Sequence, residues 1–308
     1  MFRAVRAAHE RGSTATNPLH ISVAGWSSIL VEAWRNGRNE NLNVLAAGIA
    51  FYVFLALVPF LASVAMIYGL FTDAASVADD IRSALAIIPG GAEEFVADRM
   101  ARVIVNSSVG PLAAVLGLLL ATYGGALGAR AIIAGLNVMF GRPRRKRFVD
   151  RWMLALFIVL SGACLMLFAL SAIAVQGYVA TFLPDRKPAL LSVIQPLFWI
   201  AMGLSVSAAL VVLYRFGPAG PRSRWVLLLP GALAATTIWL VATIGLGAYV
   251  SNFSRFDVTY GSIAALVVLQ LWLYLSATAM LFGAKINAEA ALHNARGTAA
   301  GTTSDRGG

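Results

Sequence analysis

Six stretches of this chain contain no Asp, Glu, Lys or Arg: residues 41–72, 103–129, 152–184, 188–214, 225–254 and 258–284. About 20 apolar residues in a helix cross the ~30 Å hydrocarbon layer of a bilayer, so each stretch is long enough to span it. The stretches are apolar on all faces, whereas a barrel strand alternates over about ten residues, so helices are expected. The expected fold class is all-α, a polytopic membrane helix bundle. Its six transmembrane helices are placed at about 43–70, 111–130, 152–182, 190–214, 225–250 and 260–284. Composition agrees: 59% of the 308 residues are hydrophobic and only 12% are charged, more apolar than a soluble domain can bury.

The formal charge of +10 reads as topology, because the basic residues sit between apolar runs rather than in a nucleic-acid groove. Of the 24 Lys and Arg, 17 fall in 1–42, 141–151, 215–224 and after 284. Six fall in 73–110, 185–187 and at Arg255, and Arg130 completes the count. The positive-inside rule makes the first set cytoplasmic, together with both termini. A bacterial inner-membrane location is expected, with a cytoplasmic N-terminal segment at 1–42, a six-span domain at 43–290 and a cytoplasmic tail at 291–308. The tail is rich in Gly, Ser and Thr and is expected to be disordered. Arg142, Arg144, Arg145, Lys146, Arg147 and Arg151 form the strongest topology anchor, suited to anionic lipid head groups. Membrane lipids are the expected partners, a homo-oligomer is compatible, and nucleic acid is not expected. The N-terminus has two early arginines but no apolar core after them, so no cleavable signal peptide is expected.

Residues 73–110 form the largest piece between spans, on the outer side. Ser76 and Asp79 resemble a capping box, and Val77, Ile81, Leu85 and Ile88 mark one helical face before Pro89, Gly90 and Gly91. Two short amphipathic helices are expected in this outer loop, capping the bundle or lying on the lipid; a plain solvated connection fits the pattern equally. Before the first span, Trp26, Ile29, Leu30, Ala33 and Trp34 recur at helical spacing and predict an interfacial cytoplasmic helix over 21–36.

Inside the spans, the candidates for a cavity or substrate path are Tyr52, Pro59, Arg130, Asn137, Gln270 and Trp272. Pro59 removes a backbone donor and frees the Leu55 carbonyl. Arg130 either faces a cavity or snorkels to the interface. Gln270 suits an interhelical hydrogen bond as well as a ligand contact. Gly48, Gly124, Gly128 and Gly261 are candidates for close helix packing, with Gly124 and Gly128 at GxxxG spacing.

Much chemistry is missing. Cys164 is the only cysteine, and His9, His20 and His293 all lie outside the spans. No metal-ligand spacing, P-loop or nucleophile elbow occurs. No carboxylate falls within a span, so proton coupling through buried acids is not expected. No cofactor, no metal and no enzymatic activity are expected.

Three blocks carry a resemblance. They are LAAGIAFYVFLALVPFLASVAMIYGLF in the first span, GGALGARAIIAGLNVMFGRPRRKRFVDRW at the end of the second, and YGSIAALVVLQLWLYLSATAMLFGAKINAE in the last. Over roughly residues 25–292 the chain resembles the YihY/virulence factor BrkB family. The resemblance implies a six-helix inner-membrane protein with a role linked to serum resistance or envelope lipid transport, in a group once labelled ribonuclease BN. Similar members carry Glu after the Gly-Ala pair where this chain has Lys285, so a role resting on that carboxylate does not carry over. Lys285 is expected to be a cytoplasmic snorkelling anchor. The functional expectation is a transporter or flippase for an amphipathic envelope component; a non-transporting scaffold is the alternative, and ribonuclease activity is not expected.

Overall fold

The computed structural model describes residues 21, 23–68, 111–142, 187–220, 223–252 and 256–304. Among them every regular element is a helix: α1 (Val23–Asn39), α2 (Leu42–Tyr68), α3 (Pro111–Met139), α4 (Lys187–Phe216), α5 (Trp225–Asn252) and α6 (Phe256–Ser304). The all-α membrane bundle expected from the sequence is what the described residues form. Pro196–Phe216, Trp225–Val250 and Leu266–His293 are each long and apolar enough to cross a membrane. Ala24–Asn39 with Leu42–Leu57, bent by 69°, qualifies as a fourth span if taken as one unit. The expected span at 152–182, the two outer-loop helices in 73–110 and Arg144, Arg145, Lys146, Arg147 and Arg151 lie outside the described residues.

The helix ends follow local chemistry. Asn41 adopts the left-handed conformation (φ 56°), which asparagine tolerates better than other side-chain-bearing residues. This one residue turns the chain from α1 into α2. Pro111 opens α3, where a missing N–H costs nothing. That helix runs nine residues past the expected end at 130, because Ile132, Ile133, Leu136 and Met139 continue a buried apolar face.

The bundle is two helical pairs, α2 with α3 and α4 with α5, bridged by α6, which also carries α1 along its far end. Its main core joins Ala46 and Ile49 of α2, Leu136 and Met139 of α3, Tyr214 of α4, Leu228 and Ala232 of α5, and Leu281 and Ala284 of α6. A smaller cluster sets Ile29 and Ala33 of α1 against Ile286 and Ala290 of α6. Leu30 and Trp34, expected on the same apolar stripe, are exposed, so α1 keeps a second apolar face for lipid.

Small residues decide how closely the helices approach. A Cβ on Gly124 would stand 2.8 Å from Ala56 Cα, and one on Gly128 would stand 3.5 Å from Val53 Cγ2. The GxxxG pair of α3 therefore faces α2. The closest crossing is between α5 and α6, where a Cβ on Gly231 would overlap the Gly283 carbonyl oxygen and the reverse also holds. Gly48 corrects the sequence reading, for a Cβ there would meet nothing within 4 Å. Ala46 and Ala50 are buried, and Gly48, two positions from each, sits about 200° around the helix from both. Gly261 lies within α6, and its surroundings fall outside the described residues.

At 49 residues and 1.5 Å per residue, α6 is about 73 Å long and outruns the hydrocarbon layer. The expected last span ends at 284, but the helix continues through Ser304 and so takes in residues 291–304 of the tail expected to be disordered. Ala291, Ala295, Ala299 and Ala300 extend a helix that is already nucleated, which costs far less than starting one.

Gly231→Leu is expected to cost more than the ~1–3 kcal/mol typical of overpacking, because backbone rather than a movable side chain stands in the way. Gly48→Ala should leave stability unchanged or raise it slightly. Thermal unfolding of the purified protein in detergent checks both; equal midpoints for the two variants would contradict the assigned crossing.

Candidate functional site

Asn36 of α1 and Glu40 just past its end, four apart, meet Lys285 and Glu289 of α6, also four apart and so on one face, in a largely buried polar layer. Lys285 Nζ stands 2.7 Å from Glu40 Oε1 and 3.2 Å from Glu289 Oε1, and the Asn36 amide donates to Glu289 Oε1 at 2.9 Å. The side chains of Lys285 and Glu289 are only 6% and 2% exposed. Asn41 makes the layer possible, since its turn ends α1 with Glu40 beside α6. Ile29, Ala33, Ile286 and Ala290 close the apolar side.

The electrostatics are unbalanced. Two carboxylates face one ammonium, and Glu40 Oε2 is buried with no hydrogen-bond partner. Burial pushes the Glu40 carboxyl above its ordinary range, against the opposing hydrogen bond and charge of Lys285, while Glu289 adds to the rise. Glu40 therefore holds its proton to higher pH than an exposed carboxyl would.

This layer corrects one sequence expectation: Lys285 does not snorkel, because α1 lies along α6 and covers it. The charge-free runs hold no acid; Glu289 and the partly exposed Glu40 enter the layer from outside them. A signal existed in the sequence: Lys285 and Glu289 are spaced four apart on a helix whose neighbours are all apolar or amide-bearing.

Several other polar groups are tied into the bundle. Asn287 clamps α5 around Pro230, its Oδ1 accepting from Gly231 N–H (2.8 Å) and its Nδ2 donating to the Leu228 carbonyl (3.0 Å). Tyr214 donates to the Met280 carbonyl at 2.7 Å. Ser207 donates to Thr236 at 2.8 Å, because the Thr236 hydroxyl is itself directed at the Ala232 carbonyl.

The residues expected to line a path do not assemble into one site. Asn137 is buried, its Oδ1 accepting from Ala219 N–H at 2.7 Å, so it fastens the turn after α4 to the end of α3. Trp272 Nε1 donates to Thr243 Oγ1 at 3.1 Å, and its ring packs at a tilt on Trp239. Gln270 carries a buried Oε1 without a partner. Arg130 is exposed, and Tyr52 is 37% exposed with its ring edge-on to Phe51. Pro59 lies within α2, and its side-chain surroundings fall outside the described residues.

Lys285→Met strands two carboxylates in an apolar layer and is expected to destabilise the fold by about 3–5 kcal/mol. Glu40→Gln keeps an acceptor for Lys285, removes the excess charge and should be near neutral. The pH dependence has a definite sign. A carboxyl raised in the folded state contributes stability that is complete below its unfolded pKa of about 4.3 and is lost as pH rises through the higher folded value. The thermal midpoint of the wild type should therefore fall relative to Glu40→Gln as pH rises through that window; parallel curves would show that Glu40 does not titrate as described.

Comparison with known proteins supports the membrane assignment. A UPF0761 membrane protein of Aeromonas salmonicida is 26% identical over 269 residues, covering 83% of this chain and 86% of its own. The UPF0761 membrane protein RC1_0578 of Rhodospirillum centenum is 27% identical over 252 residues, 81% of this chain and 54% of its own. The ribonuclease-like protein YfkH of Bacillus subtilis is 28% identical over 177 residues, 56% of this chain and 63% of its own. The chain thus spans less than two thirds of the last two relatives. No solved structure matches it. The family described as virulence factor BrkB matches residues 33–306, nearly the whole sequence, and the chain belongs to that family.

Proposed function

We propose that this integral membrane protein moves an amphipathic envelope component across the bacterial inner membrane, as a transporter or flippase, with its termini and the Glu40–Lys285–Glu289 layer on the cytoplasmic side. One observation carries the reading: a seam of polar groups runs along α6 through an otherwise apolar bundle. It passes from Gln270 and the Trp272–Thr243 pair to Tyr214 on the Met280 carbonyl, Asn287 and the ionic layer, with Ser207–Thr236 joining α4 to α5. From Gln270 to Glu289 the helix rises about 28 Å, close to the hydrocarbon thickness. Polar groups at membrane depth are costly and tend to mark substrate or ion pathways. An amphiphile suits such a seam, which offers hydrogen bonds to a head group, while the exposed apolar faces of α4 and α5, such as Leu204 and Val241, leave the chains in lipid. The excess of Lys and Arg at the ends of α3, α4 and α6 supports the orientation.

A non-transporting scaffold is the second reading, favoured by the bonds that already satisfy Asn287, Tyr214, Ser207 and Trp272 within the bundle. Both readings take membrane lipid as the partner and assign the chain no reaction. The ribonuclease-like name of the Bacillus subtilis relative is not carried over, since no three His, Cys, Asp or Glu among the described residues are placed to share a metal.

Reconstitution into liposomes containing fluorescent phosphatidylglycerol, phosphatidylethanolamine or phosphatidylcholine tests the transport reading. Transbilayer movement well above protein-free vesicles is expected for at least one head group, with a several-fold loss in Gln270→Leu. Rates equal to the protein-free control for all three would leave the scaffold.

A further inference from the structure

We propose that Arg130 binds the phosphate of a lipid head group part-way through the hydrocarbon layer, so that the amphiphile handled by this protein is a phosphate-bearing lipid. The inference rests on the transport reading and names the substrate class within it. Arg130 is the only charged residue of α3, and its side chain is exposed. Its depth follows from the packing of its helix. Gly135 of α3 sits against Leu281 of α6, whose Cδ2 would lie 3.0 Å from a Cβ there. Arg130, nearer the outer end of α3 by five positions, is level with about residue 276 of α6, close to the middle of the stretch Leu266–His293 that is able to cross a membrane. Helical rise puts it about 20 Å outward of Glu289 and about 28 Å inward of Pro111.

Snorkelling does not account for that position. The helix continues past Arg130 to Met139, and side chains on a helix lean toward its N-terminus, here the outer end and so away from the nearer, cytoplasmic interface. A guanidinium keeps its charge in any surroundings, and a charge at that depth is costly unless it meets a partner. The spans supply none. The six charge-free runs hold no Asp or Glu, and among the described residues the Arg130 side chain makes no hydrogen bond or ion pair.

The face that carries Arg130 presents donors. Tyr123, Arg130 and Asn137 recur every seven residues, two helical turns apart and so close to one line along α3. Tyr123 is exposed. Asn137 is covered by the turn after α4; with its Oδ1 taken by the Ala219 N–H, its buried Nδ2 is left without a partner. A phosphate oxyanion accepts from all three kinds of group, and the guanidinium fork suits it best. The occupant is a lipid rather than a free ion. Leu116 and Leu119, exposed on the same side of α3, offer apolar surface to acyl chains, whereas a free ion would have to enter hydrocarbon bare. The seam along α6 offers neutral hydrogen bonds and no charge short of its cytoplasmic layer; Arg130 adds that charge on the α3 side.

The test follows transbilayer movement of fluorescent phosphatidylglycerol and of a fluorescent galactosyl diacylglycerol, which has no phosphate, in liposomes holding the full-length chain. Phosphatidylglycerol is expected to move several-fold faster than the glycolipid in the wild type, and Arg130→Gln should lower the ratio of the two rates at least tenfold. A merely structural role would slow both lipids alike and leave the ratio unchanged. The inference is overturned, with the transport reading intact, if the ratio is the same in Arg130→Gln or if the wild type moves the glycolipid as fast as phosphatidylglycerol. Movement of neither lipid in the wild type removes the transport reading, and binding then decides. The detergent-solubilised chain is titrated with dioctanoyl phosphatidylglycerol, reading the thermal midpoint: a saturable rise that weakens at least tenfold in Arg130→Gln upholds the contact, and no rise, or an equal one in the variant, overturns it. Arg130→Gln takes a charge out of hydrocarbon and is expected to fold at least as well as the wild type. Should it fail to fold, Arg130→Lys, which keeps the charge but loses the fork, decides by the same criteria with a several-fold effect.

Discussion

Hydrocarbon offers no hydrogen bonds, and that deprivation organises the whole bundle. Each backbone must satisfy itself as a helix, and each buried polar side chain must find protein. Asn287 shows the consequence at one point. It bonds both ways to α5 at Gly231 and Leu228, beside a proline that cannot donate. That clamp coincides with the Gly231–Gly283 contact, where two backbones meet without intervening side chains. Close approach and amide clamp depend on each other, since a larger residue at either glycine would also move Asn287 out of reach.

The ionic layer answers the same constraint at higher cost. Lys285 and Glu289 could each have lain in water, yet α1 folds over them, and Glu40 joins them with its side chain still partly exposed. Buried ion pairs rarely add net stability compared with an apolar replacement, so this layer serves geometry more than energy. It fixes where α1 sits along α6, because sliding by one turn would part Asn36 from Glu289 and Glu40 from Lys285 at once.

Most of the helices were legible in the sequence because exclusion of charge is a one-dimensional signal. The observed α2, α4 and α5 match the charge-free runs to within a few residues, and Pro111 opens α3 as its chemistry suggests. What periodicity carries was also readable: Gly124 and Gly128 face a neighbour, and α1 is a separate helix. Other features need three dimensions. Nothing local to Lys285 says that α1 will cover it, since Glu40 is 245 positions away. Asn137 looks like a polar residue in a span until the turn after α4 is placed against it. Gly48 shows a simpler limit: a small residue does not by itself tell which side of its helix meets a neighbour, and Ala46 and Ala50 take the buried side here.

The 69° bend between α1 and α2 gives these neighbours unequal allegiances. Although α1 is joined in sequence to α2, its apolar and ionic contacts are made with α6, from the far end of the chain. The first and last helices therefore behave as a single splinted strut, while the link into the first hairpin is two residues wide. Any rocking of the α2–α3 pair against that strut concentrates its torsion at Asn41, a residue already holding the one left-handed non-glycine backbone among those described.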